Sequence, residues 1–178
     1  MREWVGPGSD FFRLCTEYRR SSWRWECQGV YHEPDEQEPI RQWREGHQDL
    51  SFMDGWVATI RRLRAEGKTF ERVRMVTEPP TEYLRWMFSF THVNIEAGED
   101  IRWITEGRAR QISMPEHDFY LFDDDRVAIL HFGEHGVSGA EVTDDPEVLT
   151  QHQRWRDLVW PLAIPHRDSQ YATATRSP

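Results

Sequence analysis

Arginine, tryptophan, asparagine and carboxylate side chains are threaded through core-patterned segments between Arg72 and Phe132, and that mixture sets the chemistry open to the chain. Arg72 and Arg74 fall in one strand-like run, Tyr83, Arg85 and Trp86 in the opening of a helix, Asn94, Glu99 and Arg102 around the next strand, and Asp118 at the entry to a hairpin. A guanidinium group binds carboxylate or phosphate through paired hydrogen bonds and stacks on aromatic rings. Arginine beside tryptophan therefore suits an anionic or aromatic small molecule, or a hot spot on a protein partner. Arg72, Arg74, Tyr83, Arg85, Trp86, Asn94, Glu99, Arg102 and Asp118 are the candidate ligand-binding residues, expected to converge on a crevice at strand ends. The competing arrangement is an internal network in which Glu82, Glu99 and Asp118 neutralise the arginines and only fix the fold.

Other chemistry has less support. Glu26, Glu99, Asp118 and Glu141 are carboxylates that could approach one another and shift in pKa. They leave open a small cofactor-independent enzyme of specialised metabolism, using Glu99, Asp118, His131 or Tyr83 as acid and base. His131 and His135 have the spacing of a zinc-binding pair, but that pair needs a helix and these residues fall in and beyond a strand. Asp123, Asp124 and Asp125 lack the alternation, central glycine and final glutamate of a calcium loop. No metal is expected. Ser138-Gly139 is no nucleophile elbow, and no phosphate-binding or dinucleotide glycine fingerprint occurs, so no cofactor is expected either. Cys27 is a weak nucleophile candidate beside the simpler reading of Cys15 and Cys27 as buried thiols.

The elements that must position these groups follow from periodicity. Residues 1–8, with Gly6, Pro7 and Gly8, are expected to fray. Ser9-Asp10 opens a short helix to about Tyr18, and residues 22–31 alternate as a strand with Trp23, Trp25 and Cys27 on one face and Arg24, Glu26 and Gln28 on the other. Residues 32–39 read as a solvated acidic loop, and Ile40 to Glu45 as either a strand or a helical turn. Phe52 to Leu63 recur at helical spacing with Gly67 as a cap, and Phe70 to Val76 form a strand. The next helix opens at Thr81 or Glu82; Tyr83, Leu84, Met87, Phe88 and Thr91 share its face, and Arg85 and Trp86 lie to the side. Asn94 to Asp100 is expected to be a polar loop, Ile101 to Ile104 a strand, and residues 108–114 a linker. Phe119 to Phe122 and Val127 to Phe132 form a hairpin, a further strand covers Val137 to Val142, and Asp145-Pro146 starts a terminal helix. The expected fold is α+β, or irregular α/β: a single mixed sheet with packed helices and a C-terminal covering helix. One globular domain is expected over residues 9–165, with a disordered tail at 166–178.

Composition narrows the partners. A chain of 178 residues with nine tryptophans, nine phenylalanines and five tyrosines builds an aromatic core. The formal net charge of -9 argues against direct nucleic-acid binding, which needs clustered basic residues. Lys68 is the only lysine, an imbalance that genomic base composition also produces. Two cysteines, no leader and no long apolar run point to a cytoplasmic protein with no membrane partner, whose oligomeric state the sequence leaves open.

Ser22-Trp-Arg-Trp-Glu26, Arg72-Val-Arg74, Thr81-Glu-Tyr-Leu-Arg-Trp86, Asn94, Ala97-Gly-Glu99, Ile101-Arg102, Pro115, Asp118-Phe119, Leu121-Phe-Asp-Asp124 and Leu130-His-Phe132 together resemble an actinobacterial family of small proteins of unknown function. The resemblance spans about residues 10–163. It implies a regulatory or sensing role, because such proteins are often encoded beside helix-turn-helix regulators, and a regulator protein joins a small molecule as an expected partner. The order of elements is also distantly similar to phospholipase-D-like sensor modules. The catalytic H-x-K-x4-D motif of those modules is missing here, since Phe132 and Gly133 follow His131, which counts against phosphodiesterase activity.

Overall fold

Alternation along Ser22-Trp-Arg-Trp-Glu26 puts the tryptophans on one side of a strand and the charges on the other, and the molecule is built around that division. The computed structural model describes residues 1–172. Its strands are β1 (Arg2–Val5), β2 (Ser21–Glu26), β3 (Thr69–Val76), β4 (Asp100–Thr105), β5 (Phe119–Phe122), β6 (Arg126–Gly133), β7 (Gly136–Thr143) and β8 (Ile164–Pro165). Its helices are α1 (Ser9–Thr16), α2 (Gln37–Arg44), α3 (Asp54–Ala65), α4 (Glu82–Ala97), α5 (Glu106–Gln111) and α6 (Pro146–Val159). The strands form one mixed sheet in the order β1-β7-β6-β5-β2-β3-β4-β8. Only β2–β3 and β3–β4 pair in parallel, joined by crossovers through α2 and α3 and then through α4. The fold is α+β, as the sequence patterning implies.

On one face, Phe70, Phe122, Ala128, Leu130 and Val142 pack with Cys15 of α1 and Ile60 and Leu63 of α3, while Ile101 and Trp103 pack with Leu84 and Phe88 of α4. On the other, Trp23, Trp25, Val73, Phe119, Leu121 and Val127 pack with Ala109 of α5 and Val159 of α6. The central strands are thus covered on both sides.

Several expectations need correction. Residues 2–5 do not fray: β1 pairs antiparallel with β7. Residues 37–44 are helix α2, so Ile40 to Glu45 resolves in favour of helix. Asn94 sits inside α4 rather than in a loop, because the helix runs on to Ala97 and ends at Gly98, whose φ of 121° is open to a residue without Cβ. The segment expected to link β4 to the hairpin contains α5, capped by the Thr105 side chain. The packed part of the chain also extends beyond residue 165. Trp103 Nε1 donates to the buried His166 Nδ1 at 2.9 Å, and the Tyr171 ring stacks on Phe88 with centroids 4.2 Å apart. The remainder of the expected tail, residues 173–178, lies outside the described residues. Among the described residues no helix is long and apolar enough to cross a membrane.

Candidate functional site

Register decides which arginines meet. Arg24 of β2 lies opposite Arg72 of β3 and Tyr120 of β5, and Glu26 lies opposite Arg74. Because strand side chains alternate, these five residues share a face. Across β4 the partners of Arg72 and Arg74 are Ile101 and Trp103, whereas Arg102 pairs with Val73 and belongs to the opposite face.

Glu26 is the hub. Its carboxylate takes Arg24 Nη1 at 3.0 Å, Arg72 Nη1 at 3.1 Å and the Nε of Arg74. Burial pushes the Glu26 carboxyl up, but the guanidinium groups of Arg24, Arg74 and Arg72 outweigh it and hold the group at about 2. Arg72 Nη2 reaches Glu99 at 2.8 Å, and Glu99 Oε1 also accepts from Trp56 Nε1 at 2.5 Å and Asn94 Nδ2 at 2.9 Å. Asp118 accepts from the Cys27 backbone N–H at 2.9 Å and the Tyr31 hydroxyl at 2.7 Å, with Arg24 Nη2 3.7 Å away. Burial raises Asp118 above the usual carboxylate range against the opposing pull of Arg24 and these donors. Arg24 lies over the Tyr120 ring, 4.9 Å from its centroid. The buried guanidinium groups of Arg72 and Arg74 and the partly buried one of Arg24 thus face the three carboxylates of Glu26, Glu99 and Asp118.

This ladder is not sealed. It borders a cavity of about 610 Å³ lined by Arg24, Glu26, Arg72, Arg74, Asn94 and Tyr120 from the sheet and α4, and by aromatic residues including Phe11, Phe12, Tyr31, Phe52, Trp56 and Tyr83. Glu33, Asp35 and Glu36 line it from the turn that precedes α2. The Tyr83 hydroxyl donates to Glu36 at 2.5 Å, and burial pushes the Glu36 carboxyl up to about 7 against that bond. Arg24 Nε, Arg72 Nε and Asn94 Oδ1 are buried without a hydrogen-bond partner among the described residues.

Of the residues expected at the site, Arg72, Arg74, Tyr83 and Asn94 line the cavity. Glu99 and Asp118 buttress it from behind. Arg85, Trp86 and Arg102 do not line it. Trp86 is 1% exposed and packs against Phe52, Tyr83 and Phe90, because α4 is covered by the sheet on one side and by α2 and α3 on another. Arg85 is exposed and donates to the Pro80 carbonyl. Arg102 stacks on Trp160, 3.6 Å from its ring centroid, and pairs with Asp100 on the far face.

Sequence reasoning missed Arg24, Tyr31 and the acids of residues 33–36 as site residues, and offered Glu26 only as an acid–base carboxylate. Counting the alternation of β2 in register with that of β3 would have added Arg24 and Glu26; the acidic segment gave no such signal.

Among the acid–base candidates, Glu99 and Asp118 are buried and engaged by their own chain, Glu99 by Arg72, Trp56 and Asn94 and Asp118 by Cys27 and Tyr31, and His131 contacts Trp4 on the exposed side of β6. Glu141 pairs with Arg2, away from the other three carboxylates. Burial, together with Asp118, raises the Cys27 thiol well above its ordinary value, which suppresses the thiolate a nucleophile needs.

A family model described as a domain of unknown function (DUF6879) matches residues 9–171. No curated protein matches the chain. Among solved structures, that of TrmBL2, an archaeal chromatin protein described as showing a novel mode of DNA binding, superposes with a TM-score of 0.45 and 9% identity, over 85% of this chain and 46% of that one. The chain thus spans about half the length of that protein.

Proposed function

We propose that this chain, which belongs to the DUF6879 family, is a noncatalytic small-molecule-binding module whose ligand occupies the aromatic-walled cavity above the Arg24–Glu26–Arg72–Arg74 ladder. The observation that carries the reading is the cavity itself: about 610 Å³ falls in the range of small-molecule pockets, which are mostly apolar with a few fixed polar groups. Glu36 and Tyr83, joined by their hydrogen bond, are polar groups fixed in its lining. A concave chamber fits a small molecule better than a protein surface does, so a regulator protein, the partner the family resemblance implies, is on this reading the receiver of the signal. Direct contact with nucleic acid is no part of it, because these arginines are matched by carboxylates.

Phe12 tests the reading, since it lines the cavity yet is 50% exposed. Native mass spectrometry of protein incubated with cell extract should show a bound small molecule that Phe12→Ala loses while its melting temperature stays within about 3 °C of wild type. Retention of the same adduct by Phe12→Ala contradicts the assignment.

A second reading rests on one pair. A carboxyl at about 7 hydrogen-bonded to a tyrosine is suited to proton transfer, so Glu36 and Tyr83 are the acid–base couple of an enzymatic alternative. Chemical conversion of the bound molecule, abolished by Glu36→Gln, would favour it.

A further inference from the structure

The charge balance of the cavity says more about what it holds. The arginines are spent: Arg24, Arg72 and Arg74 are neutralised by Glu26, Glu99 and Asp118. The acids of residues 33–36 are not. Glu33 accepts from the Val137 backbone N–H at 3.1 Å and Glu36 accepts from the Tyr83 hydroxyl, and among the described residues neither they nor Asp35 have an arginine or lysine as ion-pair partner. Tyr83 stands beside Glu36 and meets the Tyr31 ring with centroids 5.8 Å apart, and Phe12 and Phe52 line the same chamber. The face of an aromatic ring attracts a cation, and nearby carboxylates add to that attraction.

We infer that the ligand is an aromatic or flat apolar molecule carrying a protonated nitrogen, with its positive charge held at Glu36 beside Tyr83. This rests on the binding reading above and names the ligand class for that same site. Glu36 faces Tyr83 of α4, Glu33 of its own segment, Arg74 of β3 and Glu26 of β2, and burial among them holds it near the neutral range. A bound cation stabilises the Glu36 carboxylate, so binding releases a proton when the pH is below about 7 and strengthens as the pH rises through that value.

Calorimetric titration with three indoles of matching size separates the possibilities: tryptamine as cation, tryptophol as neutral isostere and indole-3-acetate as anion. At pH 8 tryptamine should bind about tenfold more tightly than either of the others. That preference should shrink at pH 5.5 and disappear in Glu36→Gln, with folding of the variant verified by its melting temperature. The wild-type pH series keeps the test decisive should that variant not fold. Tighter binding of indole-3-acetate, or a tryptamine affinity indifferent to pH, overturns the inference while leaving a binding cavity in place. Failure of all three indoles at millimolar concentration also overturns it, and the extract experiment with Phe12→Ala then judges the binding reading by itself.

Discussion

Glu26 receives three guanidinium groups at 5% exposure, so its removal strands positive charge in a site that water barely reaches. Breaking a buried ion pair from one side costs about 3–5 kcal/mol. Glu26→Gln should lower the urea-unfolding free energy at pH 7 by that order, and a loss under about 1 kcal/mol would show that solvent reaches the ladder. The sign with pH follows from a folded value of about 2 lying below the unfolded value. The Glu26 contribution is complete above the ordinary glutamate range and is lost as pH falls toward 2. The sequence made Arg72 and Arg74 legible because charges inside an apolar strand pattern are conspicuous. Arg24 and Glu26 share one face of the same kind of alternation but could not be joined to Arg72 and Arg74, since only the sheet register shows which strand faces coincide. Trp86 was misjudged for the converse reason: a single apolar stripe cannot describe a helix buried on more than one side.

Long periodic elements, namely α3, β3, the β5–β6 hairpin and α6, were readable because their apolar spacing is sustained and their ends carry caps or turns. β1 and β8 were not, since two to four residues hold no period and exist only through pairing with β7 and β4. α2 was obscured by its acidic, proline-containing approach. The segment after α6 illustrates tertiary context overriding composition: a polar, tail-like sequence is fixed by His166 against Trp103 and Tyr171 against Phe88. Burial, with Arg74 and His92 nearby, lowers His166 to about 4. Its folded value then lies below the unfolded one, so the unfolded chain takes up the proton first and stability is lost from about pH 6.5 down to about 4. Glu36, raised to about 7, acts in the opposite direction over an overlapping range. The difference between wild type and His166→Gln isolates the histidine. The wild type should lose roughly 2 kcal/mol more than the variant between pH 7 and 4, measured by urea unfolding, and parallel profiles would contradict the assignment.

At the scale of the molecule, an acidic chain surrounds a sheet whose central face carries both hydrophobic core and a balanced ion network beside an open cavity. The α+β class followed from the patterning of the segments. The cavity did not, because it arises where α1, the turn before α2, α3 and α4 stand apart above β2, β3 and β5, a spacing set by packing rather than by any local signal. The claim on which the account depends is that this space is a binding site. Its most direct test is a high-resolution crystal structure of the protein after exposure to cell extract. The account predicts density for a flat organic molecule bordered by Tyr31, Tyr83, Asn94 and Arg24; a cavity filled only by ordered water, or closed by Phe11 and Phe12, would contradict it.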